Sequence, residues 1–251
     1  MLPQMIALAQ TGSALEAIRK DLIRCGFELE FQSVNGVEDS GEDDNGDAAS
    51  PADEISAPHI EVGSDSSVRG GEARTVGALK PTEFMAAATA LFTGHDFEID
   101  TGCSFHIHLS VPGVRHSYGP RLQGEMMAYI LENRHRLPAS VQTRLQSKAV
   151  RFCMFHIDGD KMRAIHGHPQ RTWEFRLFGN VDNALDAWKC LLLAIDALRH
   201  GYQVMARRAA PMLSPDLGET LHDTAISALK NKRTLTQEIR FNKLFKSKQS
   251  A

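Results

Sequence analysis

Four stretches of this chain alternate apolar and polar residues at the period of two that marks a β-strand with one buried face. In Phe27–Phe31, the apolar Phe27, Leu29 and Phe31 are separated by Glu28 and Glu30. Gly71–Val76 carries Glu72 and Arg74 on one side. Ser104–Ser110 sets Phe105, Ile107 and Leu109 against Ser104, His106, His108 and Ser110. Thr172–Phe178 sets Trp173, Phe175 and Leu177 against Thr172, Glu174 and Arg176. Ile60–Val62 reads as a further short strand, and Phe97–Ile99 is expected to pair with Cys103–Val111 through the turn Asp100-Thr101-Gly102. Val150–Ile157 and Lys161–Ile165 flank Asp158-Gly159-Asp160, which predicts a hairpin.

The helical period of 3.6 fills the gaps. Ser13-x-x-Glu16 reads as a capping box opening a helix with Leu15, Ile18, Leu22 and Ile23 on its apolar side, ended by Gly26. Pro81 sits where a helix starts, and the alanine-rich run to Phe92 sustains it. Residues 119–136 carry Leu122, Met126, Tyr129 and Ile130 at helical spacing, and 138–148 predicts a second helix. A long, largely buried helix is expected from about Asp182 to Arg207 through Trp188, Leu191, Leu192 and Ile195. Ser214-Pro215 has the chemistry of a helix start. Strands and helices intermix without regular β-α-β alternation and without an internal repeat. This predicts an α+β fold, one sheet with helices on one face, in a single domain over 1–251.

Composition changes this picture in three places. At 42% hydrophobic and 24% charged, the 251 residues are those of an ordinary globular chain. Residues 35–58 hold Glu38, Asp39, Glu42, Asp43, Asp44, Asp47, Asp53 and Glu54 with no Lys or Arg, and almost nothing large and apolar. Such a stretch reads as a solvated, disordered loop insertion rather than a metal-binding loop. The net charge of −3 is therefore local, and the rest of the chain is net positive, including a basic tail over 233–251. That balance suits an anionic small ligand and is too unclustered for nucleic acid. No secretory signal and no apolar run of about 20 residues is visible. Cys25, Cys103, Cys153 and Cys190 lie far apart with no C-x-x-C pair. The expectation is a cytoplasmic protein with no membrane partner, compatible with a homo-oligomer.

The polar faces carry the chemistry. A half-exposed sheet ordinarily shows Thr, Ser and Lys, whereas these four strands show Glu, His and Arg. Any one alone reads as a solvated face. Four in one chain predict a shared site. Neighbouring glutamates raise each other's cost of ionisation and need a counter-charge, from arginine or from a divalent cation. Oxygen ligation with an occasional imidazole suits Mg²⁺ or Mn²⁺ better than zinc. Carboxylate-held Mg²⁺ with arginines that fork onto phosphate oxygens is equipment for a nucleoside triphosphate. The chain has neither G-x-x-x-x-G-K-[ST] nor G-x-G-x-x-G, so a nucleotide would be held by the sheet face. His166-Gly167-His168 falls in a Gly/Pro-bearing stretch and reads as a surface or substrate-side loop, and His156 reads as structural.

The ordered set Gly26-Phe-Glu28-Leu-Glu30-Phe31, Asp65-Ser-Ser67 with Glu72-Ala-Arg-Thr75, Thr101-Gly-Cys-Ser-Phe-His106-Ile-His108-Leu-Ser110, Arg151-Phe152 and Thr172-Trp-Glu174-Phe-Arg176 resembles the glutamine synthetase-like ligases. The similarity is greatest to their small branch, the amidoligases, and runs from about Gly26 to Arg207. It implies a curved, mainly antiparallel sheet with helices on its convex face and ATP with Mg²⁺ or Mn²⁺ on the concave one. It implies Glu28, Glu30, Glu72, His106 and Glu174 as metal ligands, and His108 and Ser110 near the nucleotide. Arg176, with Arg151, would bind the transferred phosphoryl group or the carboxylate substrate, and Asp65 would approach the amine. On this reading Glu174 and Arg176 serve separate ligands rather than each other. The implied activity is ATP-dependent ligation of a small-molecule carboxylate to an amine. Three other readings use the same residues: a phosphotransferase to a guanidino group, a metal-dependent hydrolase on His106, His108 and a glutamate, and a non-catalytic nucleotide-binding scaffold.

Overall fold

Phe27, Leu29 and Phe31 need a greasy partner layer, and so do the matching residues of the other alternating strands. The chain meets that need by laying those strands side by side with helices behind them. The computed structural model describes residues 2–37, 51–63, 68, 70–114, 120–142, 164–167 and 172–209. Several expectations lie outside these residues: the acidic stretch from 38 to 50, Asp65, Arg151, most of the helix over 138–148, His156, the Asp158-Gly159-Asp160 hairpin, His168, the helix at Ser214-Pro215 and the basic tail.

The strands are β1 (Arg24–Phe31), β2 (Ser33–Val34), β3 (Ile60–Gly63), β4 (Gly71–Thr75), β5 (Phe97–Glu98), β6 (Ser104–Ser110), β7 (Ile165–Gly167) and β8 (Trp173–Gly179). The helices are α1 (Leu2–Ala9), α2 (Ala14–Arg19), α3 (Pro51–Glu54), α4 (Pro81–Gly94), α5 (Pro120–Asn133) and α6 (Ala184–Ala209), with a 3₁₀ turn over Arg134–Arg136. Six strands form one sheet in the order β3-β4-β1-β6-β8-β7, and every pairing is antiparallel. The class is therefore α+β with a mainly antiparallel sheet. Among the described residues no helix is long and apolar enough to cross a membrane.

Helices α4 and α6 cover the apolar face, touching β1 and β6. Phe27 stands edge-on to Phe84 of α4, with ring centroids 5.1 Å apart, and stacks on Phe105 at 5.4 Å. Leu191, Ala194, Ile195 and Leu198 of α6 join the same buried cluster as Phe105, Ile107, Trp173 and Phe175. At about 2–3 kcal/mol for each large side chain buried, this layer holds the strands in register.

Three expectations are corrected. The helix after Ser13 stops at Arg19, because Asp21 takes a φ of 53° and turns the chain out. Leu15 is 52% exposed, and Ile23 reaches the core from outside the helix. Ser13 does cap, accepting from the Glu16 amide at 3.2 Å, but the Glu16 carboxylate accepts from Gly12 rather than from Ser13. Second, β5 pairs with β2 and not with β6, whose two sides are taken by β1 and β8. Asp100 instead closes a local turn by accepting from the Gly102 and Cys103 amides at 2.7 and 3.2 Å. Third, the strict alternation of β8 breaks. Ile107 faces Phe175, yet Phe105 faces Phe178, so one extra residue is inserted at Arg176–Leu177; Leu177 stays in the core as expected, and Phe178 joins it there.

Residues 9–14 are fastened to α6. Asp196 accepts from the Ala14 amide at 2.8 Å and from Arg136 at 2.8 Å, with Arg199 at 3.5 Å. Arg199 and Gln203 donate to the carbonyls of Thr11 and Ala9, at 2.6 and 2.8 Å.

Candidate metal and ligand site

Residues directly opposite in antiparallel strands share a face. The register therefore arranges the polar side chains in rows. One row pairs Glu72 with Glu30. The next runs Arg74, Glu28, His106. A third runs Gly26, His108, Glu174, His166. The four polar faces predicted from alternation thus meet on adjacent strands, and β7 adds a fifth with His166.

His106 is the hub, only 2% exposed. Its Nδ1 lies 2.8 Å from Glu28 Oε2 and 3.5 Å from Glu174 Oε1. Its Nε2 lies 2.7 Å from Ser104 Oγ and 3.6 Å from Glu30 Oε1. Glu30 in turn accepts from the Ser104 amide at 2.7 Å. His108 turns Nε2 toward Glu28 Oε1 at 2.9 Å and Nδ1 toward Thr172 Oγ1 at 3.4 Å. Glu174 is buried and held at both oxygens, Oε2 by His166 Nε2 at 2.6 Å and Oε1 by Arg176 Nη1 at 2.7 Å.

Arg176 and Glu174 therefore do pair, against the expectation that they serve separate ligands. Two residues apart on one strand, they share a face and lie within reach of each other. His166 was the larger omission. It lies in a strand, 4% exposed, directly across from Glu174, where a surface or substrate-side loop was expected. Glu72 is more open, 3.8 Å from Arg74, which holds Glu61 at 2.6 Å. Ser110 lines a cavity instead of joining the cluster. Arg151 and Asp65 fall outside the described residues.

The electrostatics favour charged carboxylates. Burial pushes the Glu28 carboxyl up, but the His106 and His108 ring nitrogens override it and hold it far below the usual carboxylate range. Glu174 behaves likewise: burial opposes ionisation, while His166, His106 and Arg176 bring it down to about 2. Burial lowers His108, but Glu28 and then Glu174 outweigh this and raise it. The signs follow by linkage. The two depressed carboxylates stabilise the fold fully above their unfolded value of 4.5 and lose that contribution as pH falls, through about 2 for Glu174. The raised His108 contributes fully below 6.5 and loses its contribution as pH rises through its folded value. Stability from this cluster should therefore peak between about pH 4.5 and 6.5. Urea denaturation across pH checks this, and Glu174→Gln should flatten the acid limb.

Glu28, His108 and Glu174 each offer one ligand atom, and these atoms all lie within 4.8 Å of one another. Two ionised carboxylates and one imidazole fit a divalent cation of the Mg²⁺ or Mn²⁺ kind, the imidazole favouring Mn²⁺. A cavity of about 450 Å³ opens beside Glu28 and His108, bordered also by Arg24, Arg74, Ser110 and Thr172. Gly26 makes room for it. A Cβ there would sit 2.6 Å from Thr75 Oγ1. Gly26→Ala should cost about 1–3 kcal/mol through this clash, read as a fall in the urea midpoint, and Thr75→Ala in the same chain should recover part of it. No family model matches the chain, and no curated protein matches it.

Proposed function

We propose that this protein is an ATP- and Mg²⁺- or Mn²⁺-dependent carboxylate–amine ligase acting through an acyl phosphate. The observation that carries the reading is the convergence of Glu28, Glu30, His106, His108, Glu174 and Arg176 from adjacent strands, with Glu28 and His108 bordering a cavity. The resemblance of the ordered motifs to the glutamine synthetase-like ligases, and with it their fold, supports the same reading.

A carboxylate is a poor electrophile, so amide formation needs its oxygen turned into a leaving group. The substrate carboxylate oxygen attacks the γ-phosphorus of ATP, the new O–P bond forms, and the bond to ADP breaks. The amine nitrogen then attacks the acyl carbon, phosphate leaves with the C–O electron pair, and the amine gives up a proton to a carboxylate such as Glu72 or Asp65. Glu28, His108 and Glu174 would hold the cation, with Glu30 and His106 behind them. The bound cation would neutralise phosphoryl oxygens as charge builds. Arg176, one nitrogen on Glu174, would present its guanidinium to the phosphoryl group or the carboxylate. The cavity beside His108 and Ser110 would take the nucleotide.

The test is phosphate release from ATP and Mg²⁺ over a panel of amino acids, short peptides and polyamines, with mass spectrometry for a product lighter than its precursors by one water. Free phosphate plus that product supports ligation. A phosphorylated acceptor would point to a guanidino phosphotransferase. A second reading is favoured by the imidazoles His108 and His166 around Glu174: a metal-dependent hydrolase, which turnover without ATP would establish.

A further inference from the structure

The site holds two histidines two residues apart on β6, and both touch Glu28, His106 at 2.8 Å and His108 at 2.9 Å. Distance to the carboxylate therefore does not say which one meets a cation. Their surroundings do. His106 is engaged at both ring nitrogens, by Glu28 Oε2 and by Ser104 Oγ at 2.7 Å. Ser104 is itself pinned, because its amide donates to Glu30. His106 is 2% exposed and does not border the cavity. His108 does border it, and a cation needs an entry path.

The ring of His108 is also set up as a ligand. Its Nδ1 faces the Thr172 hydroxyl at 3.4 Å, so a cation can displace the proton that Nε2 donates to Glu28 while an N–H on Nδ1 keeps the ring in place. A hydrogen bond from the remote ring nitrogen is the usual support of a metal-bound imidazole. Adjacent ligands of a cation with bonds of about 2.0–2.1 Å lie about 3 Å apart, which is the separation of His108 Nε2 and Glu28 Oε1. Glu174 completes the set within 4.8 Å.

We propose that His108, not His106, supplies the imidazole ligand, that Thr172 fixes its tautomer, and that His106, locked between Ser104 and Glu28, is a positioning residue that holds the Glu28 carboxylate. The inference rests on the cation half of the proposed function and not on ATP or on ligation.

The experiment uses the full chain with Mn²⁺ alone, titrated by electron paramagnetic resonance, with pulsed detection of imidazole ¹⁴N coupled to the ion. The wild-type chain should bind Mn²⁺ and show the nitrogen coupling. His108→Ala should abolish the coupling and weaken binding by about 10²-fold or more. His106→Gln should keep the coupling. Should His106→Gln fail to fold by circular dichroism, Ser104→Ala replaces it, releasing His106 without removing it. Ser104→Ala and Thr172→Val should each keep the coupling while weakening binding about tenfold, with Thr172→Ser restoring it. Coupling that survives in His108→Ala would overturn the proposal. So would coupling lost in His106→Gln or Ser104→Ala, or a wild-type chain that binds no Mn²⁺ at millimolar concentration. A chain that binds Mn²⁺ through His108 but consumes no ATP supports this inference and sinks the ligase reading. A chain that ligates but loses the coupling only when His106 is changed does the reverse.

Discussion

Glu28→Gln should lower ATP-dependent condensation by about 10²–10³-fold at saturating Mg²⁺, with the fold retained. Glu28 receives His106 at one oxygen and His108 at the other, and these partners keep it ionised against the opposing effect of burial. The amide has the same shape but no charge, and its nitrogen presents a donor to an imidazole that expects an acceptor. The loss of charge-assisted hydrogen bonds should cost about 1.5–3 kcal/mol, or roughly 5–10 °C in Tm, leaving a folded protein at room temperature. Phosphate release and a thermal melt on the same sample separate the two effects. Near-normal turnover in a well-folded variant would remove Glu28 from any shared cation site.

His166→Leu should be the most destabilising single change on the polar face. It takes one partner from a buried carboxylate while leaving the carboxylate in place, and breaking a buried pair this way costs about 3–5 kcal/mol. Arg176 and His106 remain near Glu174, so the low end, about 3 kcal/mol, is expected. His166→Gln, which keeps a donor, should recover roughly half. Chemical denaturation of the three proteins decides it. A His166→Leu chain as stable as wild type would mean that the 2.6 Å contact contributes nothing to the fold.

The two variants also mark what local pattern can reveal. Glu28, Glu30, His106, His108 and Glu174 stand out because their strands run seven or eight residues, long enough for alternation to separate a polar side from an apolar one. His166 sits in a strand of three residues, too short for any period, beside glycine and proline that suggest a loop. Its role comes wholly from lying opposite Glu174. The pairing of Phe97–Glu98 with Ser33–Val34 is hidden for a related reason, since register between distant strands leaves no trace in either one alone. The β8 bulge has no glycine to announce it. It accompanies the placing of Phe178 opposite Phe105, a tertiary demand that shifts the strand's phase after Phe175. Elements were thus readable where they are long and amphipathic. Partnerships between polar groups had to wait for the register.

The fastening of Ala14 to Asp196 spans 182 residues of chain, and this bears on the order in which the molecule assembles. Loop-closure entropy rises with the length closed, so contacts this remote form after local ones have shortened the effective loop. Helices α1 and α2 make their most extensive contacts with α6, so they settle only once that helix is in place. The sheet, whose neighbouring strands β3 and β4 lie close in sequence, can begin without them. Residues 9–14 are thus among the last to take their place, and Asp196 closes the fold like a latch.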